Sequence, residues 1–359
     1  MKSSSWELLR KELKSLVELR KSERLWHLPV LASLCVGLPL LVGYYFGRLD
    51  YGILASTGGL VILYMPSTAL AHRMVTLLAC SFGFIFSFAI GISFSFNPLL
   101  SALVLGAYAL CVHWVAKYFA MKPPGNFFFI MLVCIASASA FNISSIPTRI
   151  GILAMGTMFT CVLAFFYSLL IVKKSMPKAE LIVVKDSTYA NLVESAIIGT
   201  FVGGSLLVGH LLELNNPYWV PISCLAVMQG ISVRHIWQRS LHRILGTFIG
   251  LGLTWLLLSF NLSALDICIS ILILQFIIEM LVVRHYGLAV IFITPMTIFI
   301  AEAGSAMTAD PNKLVYARFL DIVLGSLIGA GGGWLLHHQQ LRQKAQRQLR
   351  KTRIAFLRR

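Results

Sequence analysis

Arg318 and Asp321 stand three residues apart at the head of the last apolar run, with Gly325 and Gly329 following on the same helical face. Spacings of three and four bring side chains to one side of a helix. A charge entering hydrocarbon costs about 2.5–3.5 kcal/mol at mid-depth on insertion scales, so such a pair must be neutralised, wetted or used. One reading is a structural ion pair fixing two helices. The other is anion binding, since a guanidinium fork grips a carboxylate with two parallel hydrogen bonds. Arg149 opens an earlier run and, like Arg318, precedes a glycine by seven residues, Gly156 and Gly325 respectively. Arg73 and Arg243, beside His72 and His242, begin two further runs. Together they would form an inner cationic vestibule, although arginines at cytoplasmic helix starts also follow from membrane topology alone. Tyr51 and Tyr218 flank two short apolar segments, where they either anchor at the interface or offer ring faces for stacking. Glu279, four residues after Gln275, is the carboxyl best placed by depth for a proton affinity that changes with access from one side or the other.

These residues recur in pairs because the chain reads as a tandem duplication. Arg73 and Arg243 are 170 apart, and Arg149 and Arg318 are 169 apart. Between them, Pro217 to Gln229 is an apolar run too short for an ordinary span. Arg234, His235, Arg239, His242 and Arg243 follow, and an apolar stretch then carries Gly246 and Gly250. On a helix, Arg239, Arg243, Gly246 and Gly250 share a face, and the glycines leave a smooth strip suited to close packing. Asp50-Tyr51 to His72-Arg73 is a weaker copy of this arrangement.

With 58% hydrophobic and 12% charged residues in 359, the composition is that of an integral membrane protein rather than a globular enzyme. The expected fold is all-α and polytopic, with about twelve transmembrane helices arranged as two parallel six-helix repeats. The divisions are a cytoplasmic amphipathic segment at 1–27, a first repeat at 28–172, a cytoplasmic linker at 173–191, a second repeat at 192–337 and a basic tail at 338–359. The second and eighth apolar segments, 51–65 and 218–229, are short and end at or contain prolines. That is the mark of an interior where irregular backbone faces protein or water. Of the 30 Lys and Arg, 26 fall on one side of this scheme and 4 on the other, which puts both termini in the cytoplasm. The net charge of +16 sits mainly in tails and cytoplasmic loops, where it meets lipid headgroups rather than nucleic acid. The cysteines lie in apolar runs at irregular spacing and read as small buried hydrophobes. No phosphate-binding glycine loop, nucleophile elbow or zinc-spaced cluster is present, so neither catalysis, a metal nor a cofactor is expected.

Four elements carry a family resemblance: Tyr218-Trp219-Val220-Pro221, the helix start from His242-Arg243 to Gly250, the segment from Tyr286 to Pro295, and Arg318 to Gly325. Together they resemble the fusaric acid resistance family, whose relatives include aromatic acid exporters. Each half also resembles the plant aluminium-activated malate transporters at the arginine-to-glycine element. The resemblance implies an exporter of organic anions, typically aromatic carboxylates, in the inner or plasma membrane, with membrane lipids around it and room for a homo-oligomer. On this reading Arg149 and Arg318 act at the outer part of the path and Arg73 and Arg243 at the inner part. An anion channel is the alternative within transport, and a scaffold working through its basic ends is the alternative outside it. In two respects the chain departs from the pattern. Its first half has no Trp-Val-Pro run, and Ile152 stands where the second half has Asp321.

Overall fold

The computed structural model describes residues 25–172, 188–260, 262–302, 311–338 and 340. The expected amphipathic amino-terminal segment, most of the linker and the basic tail lie outside these residues. Twelve α-helices are described: α1 (His27–Tyr45), α2 (Leu49–Gly59), α3 (Leu70–Ser93), α4 (Pro98–Tyr118), α5 (Phe127–Ser137), α6 (Ile146–Val172), α7 (Thr188–Leu211), α8 (Trp219–Met228), α9 (Val233–Leu258), α10 (Ala264–Leu281), α11 (Tyr286–Glu302) and α12 (Pro311–His337). A 3₁₀ turn, Leu60–Tyr64, extends α2, and another, Ile143–Ser145, leads into α6. Eight of the helices are long and apolar enough to cross a bilayer. Among the described residues the regular structure is all helical, as befits a multi-pass membrane protein.

Helix starts follow local chemistry more closely than hydropathy. The Asn97 side chain accepts from the Leu100 amide at 3.1 Å with Pro98 next in line, which starts α4. Ser263 and Asp266 form a reciprocal capping box at the head of α10. Ser232 Oγ accepts from the His235 amide at 3.2 Å, so α9 begins at Val233, well before the apolar run that starts at Ile244. Residues 234–243 are therefore the first turns of a helix and not a loop. The last helix likewise starts at Pro311, which carries Arg318 two turns inward.

The second and eighth segments are short, as their prolines predict. Two others are short as well: α5 has 11 residues and α11 has 17, with Pro295 inside it. At the end of α5 the Ser137 hydroxyl turns back to the Cys134 carbonyl at 2.7 Å.

In the first half, α1 packs on α2, α2 and α3 on α6, and α3 on α5. In the second half, α7 packs on α8, α8 and α9 on α12, and α9 on α11. The halves meet where α4 lies against α7 and α10 against α1. Glycine sets the tightest crossings. A methyl group at Gly156 would overlap the Ala55 carbonyl of α2, and one at Gly325 would overlap the Val220 carbonyl of α8. Gly246 and Gly250 meet α11 at Val290 and Ile291, so the strip does serve close packing. At the α4–α7 crossing, Gly106 faces Gly199 and Gly203 backbone to backbone.

Candidate functional site

All ten residues of α8 are buried. Such a helix is about 15 Å long, half the hydrocarbon thickness, so both of its ends stop inside the protein. Every orphan amide and carbonyl at those ends needs a partner there. Arginines gather around α8 at three levels, and these levels define the candidate site.

At its amino-terminal end, the Arg318 guanidinium of α12 lies 3.5 Å from the centre of the Trp219 ring. Both residues are buried, at 5% and 7% exposure. A guanidinium over an indole face is attracted by the ring quadrupole, by about 2 kcal/mol when desolvated. At mid-height, Arg243 of α9 donates from Nη2 to Ser223 Oγ at 3.2 Å and from Nη1 to the Tyr286 hydroxyl of α11 at 3.5 Å. At the carboxy-terminal end, Arg239 Nε donates to the Ala226 carbonyl at 3.0 Å, and its Nη2 reaches Gln229 Oε1 at 3.5 Å. There a cation satisfies the negative end of the helix. Arg239 also covers the Tyr286 ring at 4.3 Å, so one tyrosine joins two arginines.

Ser240 Oγ donates to the Ser326 carbonyl at 3.4 Å, and the Phe248 and Phe319 rings are 6.1 Å apart. Helices α9 and α12 therefore run antiparallel, with Asp321 level with the turn between Arg243 and Thr247. On this register Arg243 and Arg318 are separated by roughly 8 Å along the helix axes, about five residues of rise.

Asp321 is 1% exposed, and among the described residues neither of its carboxylate oxygens has a hydrogen-bond partner. The same holds for Arg243 Nε, Thr247 Oγ1, Ser326 Oγ and Trp219 Nε1. An unsatisfied polar group in a low-dielectric interior costs on the order of 1–3 kcal/mol. Several on α8, α9 and α12 make this the most polar part of the buried second half. The arrangement offers donors and fixed positive charge to a carboxylate, and aromatic faces from Trp219 and Tyr286.

Other expected site residues are placed differently. Arg149 is half-buried in the first turn of α6, and Arg73 is half-buried near the start of α3, where Nη1 reaches Ser168 Oγ at 3.5 Å. His72 is exposed and bonded to Thr68 Oγ1 at 2.8 Å. His242 lies beside His285, ring centres 4.9 Å apart. Tyr218 packs on Trp219, and Tyr51 lies under Arg48, whose Cζ is 3.6 Å from its ring centre. Glu279 is buried on α10 and accepts from Gln275 Nε2 at 3.3 Å. Helix α10 packs on α1 and α11 rather than on α8. Ser223, Thr247 and Gln229 join the site without having been expected there, and their sequence signal is a polar residue inside or at the end of an otherwise apolar run; the Ala226 carbonyl that receives Arg239 has no side-chain signal.

Two apolar grooves lie elsewhere: one of about 510 Å³ between α10 and α11, and one of about 540 Å³ among α3, α4 and α5. Neither is lined by Arg73, Arg149, Arg243 or Arg318.

Residues 195–331 match the family model described as fusaric acid resistance protein-like. A stretch of 119 residues is 39% identical to an uncharacterized membrane protein, YvaC, of Bacillus subtilis (strain 168). That stretch is 33% of this chain and 19% of the relative, so the match spans about a fifth of the relative's length. No solved structure matches.

Proposed function

Given that residues 195–331 form a fusaric acid resistance protein-like segment, we propose that this membrane protein moves organic anions, aromatic carboxylates above all, out of the cell along a route beside α8. The observation that carries the reading is the buried polar layer around that helix. Arg318 on Trp219 and Arg243 on Ser223 and Tyr286 hold two guanidinium groups within a membrane-embedded bundle. A protein that needed these residues only for topology would leave them at the bilayer surface, where lysine and arginine are cheap. A carboxylate entering this layer gains charge-assisted hydrogen bonds while its ring finds aromatic neighbours. Asp321, level with the turn that follows Arg243 and three residues from Arg318 on its own helix, serves as the resident counter-charge that an incoming anion displaces.

Arg149 and Arg73, with His72, His242, Tyr51 and Tyr218, belong to the same proposal as the approaches to the layer. Their partial exposure suits groups that meet solute or headgroups before it is desolvated. Glu279 would then couple transport to protons from a separate position on α10. With the cell interior negative, an anion already gains about 2.3 kcal/mol per charge per 100 mV on leaving, so coupling is a refinement and not a requirement.

The same reading takes the twelve helices as spans or part-spans in two parallel repeats, both termini cytoplasmic, in the inner or plasma membrane. The helix pairings support it. Each pair in the first half has a partner six helices on, and the contacts between halves are reciprocal, α4 on α7 and α10 on α1. The test is flux: purified protein in liposomes should transport benzoate-like anions in a saturable, potential-dependent manner. Arg318→Gln and Arg243→Gln should each lower that flux by more than their loss of melting temperature accounts for, in protein that remains folded, and unchanged flux in both would refute the route.

A further inference from the structure

We propose that the groove between α10 and α11 is a binding site for one acyl chain of an anionic phospholipid, with Arg284 holding the headgroup phosphate. Its lining is Phe276, Ile277, Met280 and Leu281 of α10, Leu288 and Phe292 of α11, and Arg284 in the turn between them. Arg284 is exposed, and among the described residues its guanidinium has neither a hydrogen bond nor an ion pair. It therefore offers a full charge to whatever lies in the groove.

Depth favours a lipid over a free anion. From Phe276 to Arg284 is about two helical turns, roughly 12 Å, nearly the thickness of one leaflet of hydrocarbon, about 15 Å. Helix α10 is one of the apolar helices long enough to span, so the turn that follows it stands at headgroup level. The apolar slot and the cation are thus spaced as an acyl chain and its phosphate are spaced. Arginine suits that phosphate because its fork donates two hydrogen bonds in one plane.

The first half supplies an internal control. Its groove among α3, α4 and α5 has a similar volume, about 540 Å³, and is lined by Phe86, Ile90, Phe94, Tyr108, Cys111 and Phe129 among others, with no cation. Two apolar slots in one protein thus differ in charge at the rim. The charged one should select the headgroup, and the other should accept any chain.

Photoactivatable phosphatidylglycerol and phosphatidylcholine, each with a mid-chain diazirine, test this with the full chain in liposomes and cross-links mapped by mass spectrometry. The expected result is several-fold more labelling of residues 276–292 by the glycerol lipid, and equal labelling of residues 86–94 by both. Arg284→Gln should abolish the preference at 276–292 only, and Arg284→Lys should restore much of it. Ile277→Trp, which fills the slot, should block both lipids there. Equal labelling at 276–292 in the unaltered protein, or a preference that survives Arg284→Gln, would overturn the proposal. So would loss of the label on adding excess inorganic phosphate or benzoate, because the occupant would then be a free anion.

Discussion

Replacing Gly325 by alanine tests how tightly α12 must lie on α8 to hold the candidate site. The added methyl would overlap the Val220 carbonyl and stand 2.7 Å from Ser223 Cβ, where carbon atoms prefer about 3.5–4.0 Å. Helix α12 must retreat by about 1 Å, because the opposing atoms include backbone that cannot rotate away. Overpacking of this kind costs about 1–3 kcal/mol. The same retreat draws Arg318, seven residues earlier on α12, off the Trp219 ring, which forfeits up to about 2 kcal/mol of cation–π attraction. The expected total is about 1–5 kcal/mol, or roughly 2–4 °C in melting temperature for each kcal/mol by the scaling for larger domains. Gly252 on α9 is the matched control, since a methyl there meets nothing within 4 Å. Gly252→Ala should be neutral or stabilising by up to about 1 kcal/mol through helix propensity. The assay is a fluorescence-monitored melt of both variants in the same detergent, followed by anion flux in liposomes. A Gly325→Ala protein that melts with the unaltered chain would refute the reasoning, since the two helices could then part freely.

Trp219→Leu keeps an apolar side chain but removes the ring beneath Arg318. It should lower flux and loosen Arg318, whereas Trp219→Phe, which keeps a weaker ring, should fall between it and the unaltered protein in a flux titration. Ser223→Ala removes the 3.2 Å acceptor of the buried Arg243 guanidinium and should destabilise by about 1.5–3 kcal/mol, read as a drop in melting temperature. Lys117 Nζ lies 2.9 Å from Glu194 Oε2 across the α4–α7 contact, with the lysine side chain 45% exposed. A double-mutant cycle with Lys117→Gln and Glu194→Gln should return a coupling of only about 0.2–1 kcal/mol that fades in high salt.

Much of the helical layout was legible because apolar runs and prolines are written directly into the chain. The Arg-to-Gly spacing was informative for a packing reason: both Gly156 and Gly325 prove to be the points where a long helix meets the backbone of a short one. Boundaries were legible only in part. The run of arginines and histidines before Ile244 concealed where that helix begins, although the spacing of Arg239 and Arg243 already fitted it, because hydropathy scores their charge while the Ser232 cap sets the start at Val233. The burial of particular arginines was not legible at all. Arg73 and Arg243 sit in matching contexts, yet only Arg243 has a serine of α8 and a tyrosine of α11 to receive it. Those partners come from helices 20 and 43 residues away in sequence, a relation that no local pattern records.

The most direct measurement is the flux of a benzoate-like anion in liposomes carrying Arg318→Gln, with potential and proton gradient imposed separately and folding checked by melting. Removing one charge-assisted contact worth about 1.5–3 kcal/mol should slow transport by at least about tenfold while the protein remains folded. Undiminished anion flux through folded Arg318→Gln protein would contradict the account.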